Sequence, residues 1–266
     1  MMRSLYSGVS GLRTHQTRMD VIGDNIANVN TVGFKRSAVT FKDVFYQTLR
    51  GGSAGNSGGT GMGGTNPQQI GLGVTLGSID VVHTQGAAAS TGNGTDLMIQ
   101  GDGFFQVKDS TGKIYYTRAG NFHFDDSGNL VTPDGFIVQG NNNGDINIGT
   151  NVTSYSIDKY GNVYINGSTT PTNQIQLARF SNPSGLVKVG SNLYIDSSSA
   201  GTATKNVAGS TDFPNTTIIP SALEMSNVDL AQEFTDMIIT ERGFQANART
   251  ITTSDQMLQE LVNLKR

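Results

Sequence analysis

The feature that most constrains the fold is a helical repeat in the last forty residues, from Asn227 to Arg266. Steps of alternately four and three residues from Leu230 land mostly on apolar side chains, as in a coiled-coil seam, with two charged interruptions. A helix over residues 230–264 would be about 50 Å long at about 1.5 Å per residue. Because a small core cannot cover that length, the repeat predicts a partner helix. The seam comprises Leu230, Phe234, Met237, Glu241, Phe244, Ala248, Ile251, Asp255, Leu258 and Val262.

The first thirty residues carry a second, weaker repeat. Ser4 is a suitable N-cap, and the helix should end near residues 28–33, where β-branched residues precede a glycine. Gly8, Gly11 and Gly23 each cost about 1 kcal/mol relative to alanine in a helix, so this segment also requires a partner. We therefore predict that the two terminal segments pair as a coiled coil. The N-terminal seam comprises Leu5, Val9, Leu12, Met19, Ile22 and Ile26.

The region between the two ends has two parts that differ in composition and periodicity. Residues 51–73 are dominated by glycine and predict a flexible or extended connector. Beyond them, apolar residues alternate with a period of two, and turn signals separate short strands. Three similar turns, at 109–112, 126–128 and 158–161, each begin with an Asp and end with a Gly. The Asp side chain can bond the turn backbone, and the Gly can take a positive φ.

These patterns predict an α+β fold, in which long terminal helices pair and the central domain is made mainly of antiparallel strands. The predicted domains are a helical domain from residues 1–35 and 225–266, a flexible glycine-rich connector at 36–73, and a β-rich outer domain at 74–224.

Composition excludes several partners. Net charge is -3, and the sequence contains no basic block, so neither nucleic acid nor an anionic membrane surface is an expected partner. The chain has no Cys, which excludes disulfides and thiolate ligands. The start lacks the apolar run and cleavage site of a secretory signal peptide, and no stretch is long and apolar enough to span a membrane. We expect any export to proceed without a cleaved leader.

The sequence offers little for catalysis or metal binding. The turn at Gly101-Asp102-Gly103 lacks the third glycine of a dinucleotide site. Two Asp/Asn clusters, at 125–129 and 141–147, contain oxygen ligands suited to calcium, but neither fits an EF-hand loop and turn chemistry explains both. The histidines His15, His83 and His123 lie on different elements. We therefore expect no cofactor, no metal, no catalytic residues and no enzymatic activity.

Three separated motifs carry a resemblance to a known family. The beginning contains SLYSGVSGLRTHQTRMDVIGDNIANVNTVGFKR, whose core is Ala27-Asn28-x-x-Thr31-x-Gly33-Phe34-Lys35. The middle contains TDLMIQGDGFFQV and YTRAGNF, and the end contains SNVDL, EFTDMI, RGFQANARTI, DQML and LVNLKR. In this order the motifs resemble the terminal signatures and the β-domain entrance of bacterial flagellar rod and hook proteins.

Within that family the sequence is similar to hook proteins. The motifs at Gly63–Gly73 and Leu223–Leu230 resemble theirs, as does the terminal ELVNLKR, and the short β region is similar to compact Gram-positive hooks. The resemblance implies a structural subunit of the hook, which self-assembles into a helical tube and acts as a flexible universal joint between rod and filament. The alternative is the distal rod protein of the same family, a rigid drive shaft.

The resemblance also implies partners and an export route. The partners would be further copies of the chain, the distal rod protein, the hook cap protein, the hook–filament junction protein and the flagellar type III export apparatus, and the location would be the extracellular hook. Phe41 and Phe45 resemble the Phe-x-x-x-apolar element recognised at the export gate, although an amphipathic turn with two core aromatics explains them equally well. The two seams given above would form the polymer and coiled-coil interface, and Glu241 and Asp255 would specify register between neighbours.

Two further functions come from other classes. A secreted adhesin or glycan-binding module would require a cluster of exposed aromatic residues in the β region. An extracellular glycoside-acting enzyme would require a cleft with two carboxylates about 5–9.5 Å apart.

Overall fold

A computed structural model of the chain describes residues 2–54, 63–150 and 152–264, except for the side chain of Asn142. The chain divides into two compact units. Unit 1 is built from residues in the ranges 1–26, 37–80 and 230–266, and unit 2 from residues 27–36 and 81–229. The two ends of the sequence therefore belong to the same unit.

Unit 1 contains two long helices, α1 (Met2–Ala27) and α2 (Leu230–Leu264). The bounds of α2 coincide with those predicted from its repeat, whereas α1 begins before the predicted N-cap Ser4. The strands of this unit are β1 (Ser37–Asp43), β2 (Tyr46–Arg50), β3 (Gln68–Gly71) and β4 (Val74–Val81). β1 pairs with β4, and β2 pairs antiparallel with β3.

Three of these strands occupy the segment for which a flexible connector was predicted. β2 reads Tyr-Gln-Thr-Leu-Arg, whose β-branched and aromatic residues favour an extended ladder despite the glycines that follow. Part of the glycine-rich stretch, residues 55–62, lies outside the described residues. The residue pattern on either side of these glycines determines the ladder of β2 and β3.

The remaining strands belong to unit 2, where described residues also form short 3₁₀ turns at Asn141–Asn143 and Pro183–Gly185. The strands are β5 (Ala88–Ser90), β6 (Leu97–Gln100), β7 (Phe104–Lys108), β8 (Ile114–Thr117), β9 (His123–Phe124), β10 (Leu130–Val131), β11 (Ile137–Val138), β12 (Tyr155–Ile157), β13 (Asn162–Ile165), β14 (Asn173–Gln174), β15 (Gln176–Arg179), β16 (Val187–Gly190), β17 (Leu193–Ile195), β18 (Thr204–Val207), β19 (Thr217–Pro220) and β20 (Ala222–Glu224).

Within the described part of unit 2, the largest sheet has nine strands. Its main path is β16-β17-β8-β7-β11-β10-β9, and β15 pairs with both β7 and β18. A smaller sheet has three strands, β12, β13 and β14. Two further sheets have two strands each: β6 with β19, and β5 with β20. Every register between these strands is antiparallel, which confirms the predicted class of sheet.

Strand β7 is a central strand of unit 2, and both of its faces are buried. Phe105 faces the larger core cluster, where its ring meets that of Phe122 edge-on at 5.1 Å. Phe104, the preceding residue, faces a second cluster that contains Tyr116 and Phe180, whose rings meet edge-on at 4.8 Å. Alternation of side chains along one strand therefore supplies both cores.

The three Asp-Gly turns are present. Gly112, Gly128 and Gly161 have φ values of 84°, 80° and 77°, in the left-handed region that favours glycine. The second turn begins one residue earlier than predicted, at Asp125, since the Gly128 N–H donates to the Asp125 carbonyl at 2.8 Å. Each turn joins neighbouring strands with few residues, which fixes their register.

Two of these glycines form a matched pair for a stability measurement. A Cβ added at Gly161 would lie 2.9 Å from Cδ1 of Ile218 and 3.2 Å from Cβ of Ile175, both in the core, whereas one added at Gly112 would meet nothing within 4 Å. We expect Gly112→Ala to destabilise unit 2 by about 1 kcal/mol through backbone strain alone. Gly161→Ala should cost about 2–4 kcal/mol, because overpacking is added. Urea denaturation followed by tyrosine fluorescence measures both, and equal losses would contradict the account.

Candidate assembly surfaces and the buried ion cluster

The two helices of unit 1 pack antiparallel. Polar contacts mark three levels along the pair: Ser4 Oγ lies 3.2 Å from Ser254 Oγ, Arg18 bonds Asp236 at 3.0 Å, and Asn25 Nδ2 donates to Glu233 Oε2 at 3.2 Å. The start of α1 therefore lies beside the last third of α2, and its end lies beside the start of α2. This confirms the predicted pairing of the terminal helices.

The contact face between the helices is made mostly of small and polar residues. A Cβ added at Gly8 would lie 3.0 Å from Ile251 Cγ1, and one added at Gly243 would lie 2.6 Å from the His15 ring. The backbones thus approach so closely that larger side chains have no room. The buried residues on this face are Gly8, Gly11, Thr14, Ile22 and Asn25 of α1 and Glu233, Thr240 and Ser254 of α2.

Nine of the sixteen residues of the two predicted seams are buried or half-buried, and seven are exposed. Ile22 is buried, and Leu5, Leu12, Met19, Ile26, Met237, Ala248, Ile251 and Leu258 are half-buried. The exposed members are Val9, Leu230, Phe234, Glu241, Phe244, Asp255 and Val262. Hydropathy located the helices and part of their contact face, since Ile22 is buried there and Ile251 lies against Gly8. Gly8 and Gly11, three residues apart, were the available signal, and sequence reasoning counted them only as weak points of the helix.

Asn25 joins α1 to two other elements of unit 1. Its Nδ2 donates to the Ser37 carbonyl at 2.9 Å as well as to Glu233, and its Oδ1 accepts from the Ser37 N–H at 2.9 Å. The side chain is only 1% exposed. Because every polar atom of this amide is used, Asn25 fixes the end of α1 against both the start of β1 and the start of α2.

Unit 1 carries most of the large apolar side chains that the described residues expose. The helices contribute Tyr6, Val9, Leu230, Phe234, Ile238, Ile239, Phe244, Met257, Leu261, Val262 and Leu264, and the strands and their connections contribute Phe41, Phe45, Tyr46, Leu49, Ile70, Leu72 and Ile79. Exposed apolar surface of this extent is typical of an interaction site. In unit 2, the corresponding residues are Tyr155, Tyr160, Val187 and Val189.

The two phenylalanines of the proposed export element differ in environment. The ring of Phe41 meets His15 edge-on at 5.5 Å, and the Arg18 guanidinium lies 5.9 Å from its centroid. Burial, with a further contribution from Arg18, holds the pKa of His15 below its ordinary value, so the ring packs as a neutral group. Phe45 is 84% exposed. Packing therefore accounts for Phe41 but not for Phe45.

Unit 2 contains a buried ion cluster of Lys35, Arg118 and Glu224. Lys35 Nζ lies 2.5 Å from Glu224 Oε1, and Arg118 donates to Glu224 Oε2 at 3.2 Å. The side chains of Lys35 and Glu224 are fully buried, and that of Arg118 is 5% exposed. Burial lowers the pKa of Lys35 and of Arg118, and the Glu224 carboxylate opposes that shift in both. One buried carboxylate is therefore the counter-charge of two buried cations.

Backbone groups complete this cluster and bring distant segments together. Lys35 Nζ also donates to the Thr84 carbonyl at 2.7 Å, and Arg118 donates to the Gly101 carbonyl at 2.7 Å. Glu224 accepts the Gly86 N–H at 2.9 Å through its side chain and the Gly33 N–H at 2.8 Å through its carbonyl. The cluster lies where GFKR, YTRAGNF and LEMSN meet, so these motifs have a structural role that reading them as signatures did not assign.

Glu224→Gln should destabilise unit 2 by about 3–5 kcal/mol, because it leaves two buried cations without a counter-charge. Urea denaturation gives the free energy of unfolding. Asp126→Asn, which neutralises an exposed carboxylate of the same unit, is the matched control and should change stability by about 0.5 kcal/mol or less. A loss in Glu224→Gln no larger than the control's would exclude the cluster as a stabilising element.

The described residues contain no group of three His, Cys, Asp or Glu placed to hold a metal ion. The two Asp/Asn clusters bond to each other, since Asn147 Nδ2 donates to Asn129 Oδ1 at 2.7 Å and to the Ser127 carbonyl at 3.0 Å. Across the part of the chain that the structure describes, no helix has the length and apolarity of a membrane span.

Paired terminal helices with exposed apolar surface are typical of a subunit that assembles with other chains. Three family models match parts of this chain. The model for the flagella basal body rod protein matches residues 5–35, that for the flagellar hook protein FlgE/F/G D1 domain matches 98–165, and that for the flagellar basal body rod FlgEFG protein C-terminal matches 219–264.

Full-length relatives agree with these matches. The chain is 53% identical over 270 residues to the flagellar basal-body rod protein FlgG of Bacillus subtilis, with all of both chains covered. It is 39% identical over 273 residues to FlgG of Caulobacter vibrioides, covering 99% of this chain and all of the relative. It is 31% identical over 447 residues to the flagellar hook protein FlgE of Borreliella burgdorferi, with all of both covered. The chain belongs to the flagellar rod and hook family of structural proteins.

The comparisons confirm the family that the sequence motifs indicated, and these relatives are named as structural proteins rather than enzymes. They do not confirm the preference for a hook subunit. The rod relatives align over lengths close to the 266 residues of this chain, whereas the hook alignment extends over 447 positions and therefore contains long insertions. The rod alternative fits these relatives better than the hook.

Proposed function

We propose that this chain is a subunit of the distal flagellar rod, where it self-assembles into a rigid tubular drive shaft. The observation that carries the proposal is the end-to-end match at 53% identity to a rod protein, without the long insertions that the hook alignment requires. The hook is the second candidate, and the hook-like motifs at Gly63–Gly73 and Leu223–Leu230 favour it.

The exposed apolar rows of α2 supply the contacts between subunits in this proposal. Phe234 and Ile238 lie four residues apart on one flank of the helix, and Met257 and Leu261 lie four apart further along. Burying one such side chain contributes about 1.5–3 kcal/mol. Contacts between unlike surfaces produce a helical polymer when the rotation from one subunit to the next does not close a ring, and this is the geometry that we propose for the rod.

The ladder of β2 and β3 adds a second surface. A two-stranded ladder is marginally stable alone in water, and this one exposes Tyr46, Leu49 and Ile70. We propose that neighbouring subunits cover these side chains in the rod. The coiled-coil contact, the register role of Glu241 and Asp255, and the export role of Phe41 and Phe45 are further parts of the proposal, as are the remaining flagellar partners and export without a cleaved leader.

Phe244→Asp tests the helix surface. Phe244 is 38% exposed, so the monomer should tolerate an aspartate there, whereas a subunit interface would bury its charge without a partner. We expect strains that carry only this variant to lose assembled rods, while the purified protein keeps the stability of unit 2. Counting isolated basal bodies by electron microscopy measures assembly.

Thr253→Asp is the matched control, because it places the same charge at an exposed polar position of the same helix. Rods should form normally in this variant. Normal rods with Phe244→Asp would remove Phe244 from the interface, and failure of both variants would show that any added charge on α2 is harmful.

Deletion of the gene distinguishes the two candidates. A distal rod subunit supports everything assembled after it, so we expect basal bodies with shortened rods and no hooks. Complete rods that lack hooks would overturn the rod proposal in favour of the hook. The same micrographs score both outcomes.

A further inference from the structure

Asparagine directly precedes glycine at three places in unit 2, at Asn93, Asn143 and Asn166. Such a pair can react without an enzyme. The main-chain nitrogen of the glycine bonds to Cγ of the asparagine and closes an imide ring, while its proton goes to the side-chain nitrogen, which leaves as ammonia. Glycine permits the close approach because it has no Cβ. Water then opens the ring at either carbonyl, which produces aspartate or isoaspartate.

The reacting groups of the first pair are free. The side chain of Asn93 is exposed, and its amide makes no hydrogen bond to the described residues. The N–H of Gly94, whose nitrogen would attack, has no acceptor among them either. The main chain of Asn93 makes two long bonds: its N–H donates to Thr91 Oγ1 at 3.4 Å, and its carbonyl accepts the Asp96 N–H at 3.2 Å. Bonds of this length are weak, so the residue can rotate at little cost.

Three hydrogen bonds hold the side chain of Asn166. Its Oδ1 accepts the N–H and the hydroxyl of Thr153, both at 3.0 Å, and the Ser154 N–H at 3.3 Å. These bonds polarise the amide carbonyl, which favours attack, but they also oppose the rotation of the side chain that ring closure requires. Each bond that must break lowers the population of the reactive conformer by about two- to tenfold. With three bonds to break, restraint outweighs polarisation.

Both reacting groups of the remaining pair are engaged. Oδ1 of Asn143 accepts from Gln106 Nε2 at 3.1 Å and from Lys205 Nζ at 3.5 Å. The Gly144 N–H donates to the Asn141 carbonyl at 3.4 Å. The attacking nitrogen is therefore restrained as well as the side chain that it would attack.

We propose that Asn93 is a site of spontaneous modification, at which the side chain is converted to aspartate and isoaspartate while Asn143 and Asn166 stay intact. The reaction consumes one water molecule and releases one ammonia molecule for each asparagine converted. The selectivity comes from the hydrogen bonds of the folded chain, because all three asparagines have the same reactive neighbour.

The modified turn lies beside the strand that carries Glu224. The Thr91 N–H donates to the Ser221 carbonyl at 3.0 Å, and Ser221 directly precedes β20. Ser221 has a φ of 59°, a left-handed value that is uncommon for residues other than glycine. Isoaspartate adds one methylene to the main chain of the turn that positions Thr91. We therefore expect the modification to loosen the contact that holds Ser221.

Incubation of the purified protein in mildly alkaline buffer tests the site. Peptide mass mapping locates each conversion, and methylation by an isoaspartyl methyltransferase measures the isoaspartate. In the folded protein, Asn93 should convert at least about tenfold faster than Asn143 or Asn166, since their hydrogen bonds must break first. In concentrated urea the three rates should become similar. Similar rates in the folded protein would overturn the proposal, as would fastest conversion at Asn166, which would show that polarisation dominates.

A methyl group beside the attacking nitrogen tests the mechanism. A Cβ added at Gly94 would lie 3.4 Å from Cε2 of Tyr155, an ordinary contact, so Gly94→Ala should fold and should slow the conversion of Asn93 severalfold. Gly112→Ala adds the same group to another turn, where it meets nothing within 4 Å, and should leave the rate unchanged. An unchanged rate in Gly94→Ala would exclude attack by the Gly94 nitrogen.

Asn93→Asp separates the new charge from the change in the main chain. This variant carries the charge of the product without the added methylene. After incubation, the isoaspartate-containing wild-type protein should unfold at a lower urea concentration than freshly purified Asn93→Asp. Equal unfolding midpoints would overturn the expected effect on the turn at Ser221.

Discussion

The pairing of one buried carboxylate with two buried cations holds together the β unit of this protein. Glu224 bonds Lys35, 189 residues earlier in the chain, and Arg118, 106 residues earlier. Removing three charges from water is unfavourable, and the mutual attraction offsets that loss only when geometry and additional hydrogen bonds are good. Backbone carbonyls of Thr84, Ile99 and Gly101 provide those bonds. We interpret the cluster as a device for specificity, since no misplaced segment can satisfy all three charges.

The helical unit divides its contacts by chemistry. Its internal face is closed by shape, through Gly8, Gly11 and Gly243, and by hydrogen bonds such as those of Asn25. Its apolar side chains lie largely on the flanks. A face of this kind holds the helices in one register without consuming the hydrophobic surface that association with other subunits requires. The same sequence can therefore specify the fold of the monomer and leave its apolar side chains exposed for association.

Local patterns predicted much of the fold. The bounds of α2 agree with those read from its repeat, and the turn signals correctly placed hairpins in the β region. The glycines of the contact face, such as Gly8 and Gly11, were not predictable in this way, since hydropathy does not mark glycine as a packing position. The ion cluster of Lys35, Arg118 and Glu224 was not predicted for a different reason. No local pattern around any of the three indicates a partner about a hundred residues away.

The antiparallel helix pair has a consequence for the order of folding. Ser4 contacts Ser254, so α1 finds its partner only after α2, near the end of the chain, has been synthesised. Contacts at such sequence separation form late, because the loop between them must close first. A chain interrupted before residue 230 retains every residue of the β unit and lacks α2 altogether. Because α1 has no α2 to pair with in such a chain, the helical unit cannot form until residues 230–264 have been synthesised.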